Sequence, residues 1–167
     1  MATTRKKTPA RKSAPAQKDA IALLKEDHEK VRGLLSQLEK SADRGGERAM
    51  KLVTQIEGEL KVHTTIEEEI FYPAFRDAAR SKDDKKLYYE ANQEHHVVDL
   101  VLPEMSEPGA AKEEFAAKAK VLKELVEHHA DEEEKEMFPK ARKLFGRDEL
   151  KELGQRMAER KRELQGR

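Results

Sequence analysis

Four stretches of this chain place apolar side chains three and four residues apart, and a single histidine interrupts each stripe. The first stripe is Ile21, Leu24, His28, Val31, Leu35 and Leu38. The second is Leu52, Ile56, Leu60, His63, Glu67 and Ile70. The third is Tyr88, Ala91, His95, Val98, Leu102 and Met105, and the fourth is Phe115, Ala119, Leu122, Val126, His129 and Glu133. Steps of three and four return to one face of a helix, whereas a strand needs steps of two. Each stripe is therefore the buried face of an amphipathic helix. A composition of 41% charged and 5% aromatic residues favours the same reading.

Punctuation sets the boundaries. Asp19 can cap a helix beginning at Ala20 and ending near Lys40, with a turn over 41–46. A second helix starts near Glu47, and Pro73 is expected to kink or end it. A polar loop is expected over 81–84 and a break over 107–109. Pro103 lies near the end of the third stripe and Pro139 beyond the fourth. Gly146 reads as a stop, after which Asp148 caps a shorter helix through Leu164 with Leu150, Leu153 and Met157 on one face. The expected fold is all-α. An up-down-up-down four-helix bundle spans 19–146, and a C-terminal helix within 147–167 packs on or beside it.

Residues 1–18 carry Arg5, Lys6, Lys7, Arg11, Lys12 and Lys18 without an acidic residue, in a background of Ala, Pro, Ser and Thr. This segment reads as a disordered basic tail, because it cannot bury enough surface to offset its ordering entropy. Its charge permits weak, nonspecific contact with nucleic acid. The remainder holds 28 basic and 34 acidic residues, a net charge of −6. There is no cysteine, which excludes disulfides, iron–sulfur clusters and cysteine-based zinc sites and fits a reducing, cytoplasmic setting. No apolar run approaches the ~18 residues of a membrane span, and no signal-peptide core is present.

In two helices a glutamate follows the striped histidine by four residues, as in His63 with Glu67 and His129 with Glu133. Such a pair shares one helix face and can grip one site from one side. Imidazoles and carboxylates on facing helices form a ligand set for a divalent first-row metal. There is also an internal repeat. His28 and His95 are offset by 67, while His63 and His129, Glu67 and Glu133, and Pro73 and Pro139 are each offset by 66. Each half supplies His, His and Glu, which implies two metals bridged by shared ligands.

Asp27-His28, His63-x3-Glu67, Glu94-His95-His96 and His128-His129-x3-Glu133 running to Phe138-Pro139 together resemble the hemerythrin-like, or HHE cation-binding, proteins over about 19–164. The resemblance implies a four-helix bundle with two iron ions in an oxo- or hydroxo-bridged centre. It implies terminal ligation by His28, His63, His95 and His129, bridging by Glu67 and Glu133, and O2, H2O2 or NO as the small-molecule ligand. One departure concerns Asp99, which stands where oxygen carriers have a second histidine. Fewer imidazoles and more oxygen ligands suit peroxide or oxygen chemistry, or sensing, better than reversible oxygen carriage.

His96 and His128 fall one step off the stripes and read as surface residues or as partners of ligands, with ligation or proton donation as the alternative. Glu68, Glu69, Glu132 and Glu134 read as solvated outer-face charge, although ligation shifted by one residue to Glu68 or Glu132 stays open. Tyr72, Tyr88 and Tyr89 read as packing residues. An enzyme of catalase-like or oxidase type, a sensor and a carrier all fit the metal reading. A structural bundle, or a cation binder without redox turnover, is the alternative.

Overall fold

Asp19 starts the first helix as its sequence position implies, because its Oδ1 accepts the Ala22 N–H at 2.8 Å. The computed structural model describes residues 18–42, 46–106 and 111–166. The expected tail lies outside them except for Lys18, which pairs with Glu26, and so does the expected break at 107–109. Helix α1 spans Ala20–Ala42 and α2 spans Glu47–Ile66. Between them Gly46 takes φ 84°, a left-handed conformation that suits glycine.

Pro73 does not end the second rod, although the α-helix is interrupted just before it. A wider π turn, Glu67–Phe71, leads into α3, Tyr72–Ala78, so one rod runs from 47 to 78. The Tyr72 N–H reaches back five residues to the Glu67 carbonyl. The widened turn eases the crowding a proline ring creates against the preceding turn. The second half repeats the device. Helix α4, Lys82–Glu104, precedes α5, Lys112–Glu132, whose π turn Glu133–Met137 opens into α6, Phe138–Leu144, with Pro139 in its first turn. Both π turns begin at the glutamate of the His-x3-Glu pair.

Two other boundaries differ from expectation. The 81–84 segment is mostly helix, because Ser81 and Asp84 form a capping box. Ser81 Oγ accepts the Asp84 N–H at 3.0 Å and Asp84 Oδ2 accepts the Ser81 N–H at 3.2 Å. Gly146 follows the end of α6 as expected, with Phe145 as the last cap, but it is not left-handed and it, not Asp148, caps the next helix. Its φ is −70°, its N–H donates to Glu149 Oε2 at 2.7 Å, and α7 runs Arg147–Gln165 with Asp148 inside it.

The rods form an up-down-up-down bundle in which α1 packs on α2 and α5, and α4 packs on α5 and α3. Helix α7 lies against α1, α2 and the first π turn. Gly154 permits this approach, since a β-carbon there would fall 2.5 Å from the Lys18 carbonyl oxygen. The apolar interior has two parts. Ile21, Leu24, Phe71, Phe75, Phe138, Leu153 and Met157 fill one end. Val31, Leu35, Leu52, Ile56, Leu102, Leu122 and Val126 fill the other. Truncating a fully buried phenylalanine such as Phe75 to alanine would cost about 3–5 kcal/mol. Among the described residues no helix is long and apolar enough to cross a membrane.

Candidate metal centre

The histidine stripes meet between the two apolar clusters. His28 on α1, His63 on α2, His95 on α4 and His129 on α5 are all buried, together with Glu133 and a fully enclosed Glu67. Each imidazole turns Nε2 inward. Glu67 Oε2 lies 3.2 Å from His63 Nε2 and 3.3 Å from His95 Nε2. Glu133 Oε2 lies 3.2 Å from His28 Nε2 and 3.8 Å from His129 Nε2. Each glutamate therefore faces one histidine from each half of the repeat. Ligand atoms held at roughly 2.0–2.2 Å from one divalent ion sit about 3.0–3.4 Å apart, and most of these separations fall there.

Among the described residues, His28, His63, Glu67 and Glu133 bring ligand atoms within 4.8 Å of one another, and Glu67, His95 and His129 do likewise. Glu67 belongs to both groups. Nε2 of His28 and of His63, both Glu67 oxygens and Glu133 Oε2 are buried without a hydrogen bond. Such groups cost free energy unless something satisfies them. Cations between the two groups would do so, and the donors are of the kind that hold divalent first-row ions.

Sequence reasoning missed the carboxylates that stand behind the imidazoles. Glu134 meets His28 Nδ1 at 2.9 Å, Glu68 meets His95 Nδ1 at 2.8 Å and Glu94 meets His129 Nδ1 at 2.7 Å. Asp27 is the counterpart for His63, at 3.7 Å. The repeat carried the signal, because Asp27 and Glu94 are offset by 67 and Glu68 and Glu134 by 66. Glu68 and Glu134 are thus not idle outer-face charge. A carboxylate on Nδ1 fixes the tautomer and ring orientation that aim Nε2 at a metal. Arg32 braces one of them, donating to Glu134 at 2.7 Å and to Asp131 at 2.8 Å. Tyr72 was also underread. Its buried hydroxyl lies 2.9 Å from Glu133 Oε1 and 3.2 Å from His95 Nε2.

The remaining candidates lie outside this cluster. His96 is exposed. His128 is exposed and sits 3.5 Å from both Glu94 and Glu132 on the surface. Asp99 is exposed and lines the groove between α2 and α4, so it adds no oxygen donor to the buried cluster, contrary to the expectation of a more oxygen-rich ligand set.

The electrostatics are uneven. Burial raises the Glu67 carboxyl well above its ordinary range, and the neighbouring Glu133 adds to this. Burial pushes Glu133 the same way, but His129 and His28 outweigh it and leave Glu133 below its usual range. Burial drops His63 to about 4. His28 and His129 rise despite burial, chiefly because of Glu133.

Above the inward nitrogens lies a cavity of about 20 Å³ between the four histidines and Val31, Leu60, Val98 and Val126. That is room for one water-sized guest. Leu60, Thr64 and Val98 also line the open α2–α4 groove, of about 340 Å³.

Comparison with known proteins agrees with this architecture. A crystal structure of a hemerythrin HHE cation binding domain-containing protein, the Rv2633c homolog from Mycobacterium kansasii, superposes with a TM-score of 0.72. It is 31% identical and the match covers 89% of this chain and 88% of that one. The uncharacterized protein Rv2633c of Mycobacterium tuberculosis is 31% identical over 149 residues, 89% of this chain and 88% of its own length. A DNA nickase from Nostoc is 28% identical over 116 residues, which are 70% of this chain and 31% of that protein. The hemerythrin HHE cation binding domain matches residues 19–141, and this chain belongs to that family.

Proposed function

We propose that the chain holds two iron ions between its helices and presents them to a small oxidant such as O2, H2O2 or NO. The observation that carries this reading is the pair of ligand groups sharing Glu67, with buried atoms of His28, His63, Glu67 and Glu133 that no protein group hydrogen-bonds. His28 and His63 would hold one ion and His95 and His129 the other, with Glu67 and Glu133 between them. Bound iron supplies the redox chemistry, and the protein supplies binding and orientation.

The surrounding residues support a small guest. The cavity is lined by the four histidines and otherwise chiefly by valine and leucine, with room for one water-sized guest. Leu60, Thr64 and Val98 line both this cavity and the α2–α4 groove. The carboxylates on Nδ1 keep His28, His95 and His129 from rotating, and Tyr72 holds Glu133 in place through its hydroxyl.

Metal analysis and an optical spectrum of aerobically purified protein, followed by addition of H2O2, test the reading. About two irons per chain and a spectrum that changes with peroxide are expected for a paired site. Redox-inert cations in an iron-replete preparation, with no response to peroxide, would favour a cation binder without redox turnover.

A further inference from the structure

The repeat makes the two halves of the buried cluster nearly equivalent, and behind His63 that equivalence is broken by a shorter carboxylate and by one residue from outside the repeat. Three of the four imidazoles have a carboxylate within 2.7–2.9 Å of Nδ1. His63 does not, because Asp27 Oδ2 stays 3.7 Å away, beyond hydrogen-bond reach. Both Asp27 Oδ2 and His63 Nδ1 are buried without a hydrogen bond. Two features explain the gap. Asp27 is one methylene shorter than its counterpart Glu94. Its other oxygen is also held by the ammonium of Lys161, which α7 places against it. On the opposite side Glu94 Oε2 meets His129 at 2.7 Å while Oε1 faces His128, and among the described residues no lysine pairs with Glu94 as Lys161 does with Asp27.

We propose that Lys161 makes the two cation positions unequal, so that the position built on His28 and His63 binds more weakly and fills second. This rests on the paired-site reading above. A carboxylate on Nδ1 raises the basicity of a ligating imidazole and restricts its ring, and losing one typically costs 10–100-fold in metal affinity. Lys161 acts through Asp27 and touches no ligand atom, so it is a positioning residue. Its helix has other anchors. Arg160 grips Glu69 through Nε at 2.7 Å and Nη2 at 3.0 Å, and Leu150, Leu153 and Met157 are buried. Substituting Lys161 therefore leaves α7 docked.

The test is an anaerobic titration of metal-free full-length chain with Co(II), whose visible bands report each ion as it binds. The wild type should bind in two steps separated by about tenfold or more in affinity. Lys161→Met frees Asp27 for His63, and Asp27→Glu gives the side chain the reach of Glu94. Each should tighten the second step and leave the first unchanged, with metal-free unfolding curves confirming the fold. A structural role alone would move both steps together or neither. Two coincident steps in the wild type, or a gap that neither substitution narrows, would overturn the inference and leave the paired site standing. Saturation at one Co(II) per chain would overturn the paired-site reading and this inference with it.

Discussion

The hydroxyl of Tyr72 lies 2.9 Å from the buried carboxylate of Glu133, where it donates a hydrogen bond. The equivalent position of the other half, 66 residues on, is Phe138, which has no hydroxyl and stacks on His28 with ring centres 5.8 Å apart. Tyr72→Phe should therefore leave the packing intact and orphan one oxygen of Glu133. The expected loss in the metal-free chain is about 1–3 kcal/mol, read from denaturant unfolding midpoints. An unchanged midpoint would show that the bond contributes nothing to the fold.

The phase of the histidines can be tested by removing them singly. His95 and His129 point inward, whereas His96 and His128 are exposed. Metal analysis of purified variants should show that His95→Ala and His129→Ala lose bound metal. His96→Ala and His128→Ala should keep it. The reverse pattern would place the ligands one residue away.

Chelation should weaken the fold. A cation that binds only the native chain stabilises it by mass action, about 2.7 kcal/mol at a free concentration 100-fold above Kd. For a chain of this size that is a change of roughly 5–10 °C in melting temperature. Scanning calorimetry with and without chelator measures it. Identical melting temperatures would count against a buried cation site.

Cation affinity should fall on acidification. The raised Glu67 carboxyl keeps a proton above the ordinary range, and His28 and His129 are raised too. A ligating carboxylate or imidazole must give up that proton, so affinity rises with pH until these groups are deprotonated in the metal-free fold. His63, at about 4, is already neutral near neutral pH and releases none there. Titration of the cation into weakly buffered protein with a pH indicator should show proton release, and Glu67→Gln should reduce it. Release that persists undiminished in Glu67→Gln would assign the protons elsewhere.

Val98 lines both the α2–α4 groove and the cavity beside the histidines, so a passage from one to the other would run along it. Val98→Phe should narrow that passage while leaving metal content unchanged. Stopped-flow binding of azide to the metal-loaded protein should slow by about tenfold, a barrier rise of about 1.4 kcal/mol. An unaltered rate would mean that small ligands arrive by another path.

The sequence by itself determined the helices, their buried faces and the six buried residues that meet at the centre. Helical periodicity is a local property, and a histidine on an apolar stripe must enter the core that the stripe forms. The 66- and 67-residue offsets also fixed the equivalence of the halves. What the sequence left open depended on distance across the bundle. Pro73 read as a kink or an end because a proline clashes with the preceding α turn, and the chain meets the clash with a π turn and continues to Ala78. Glu68 and Glu134 looked solvated because each follows an inward glutamate by one position, yet each leans back to an imidazole on another helix. Only the tertiary structure brought Lys161 to Asp27, 134 residues earlier, beside the one buried histidine of the four whose carboxylate stays 3.7 Å away. No local pattern encodes that contact, because it exists only once α7 has docked on α1.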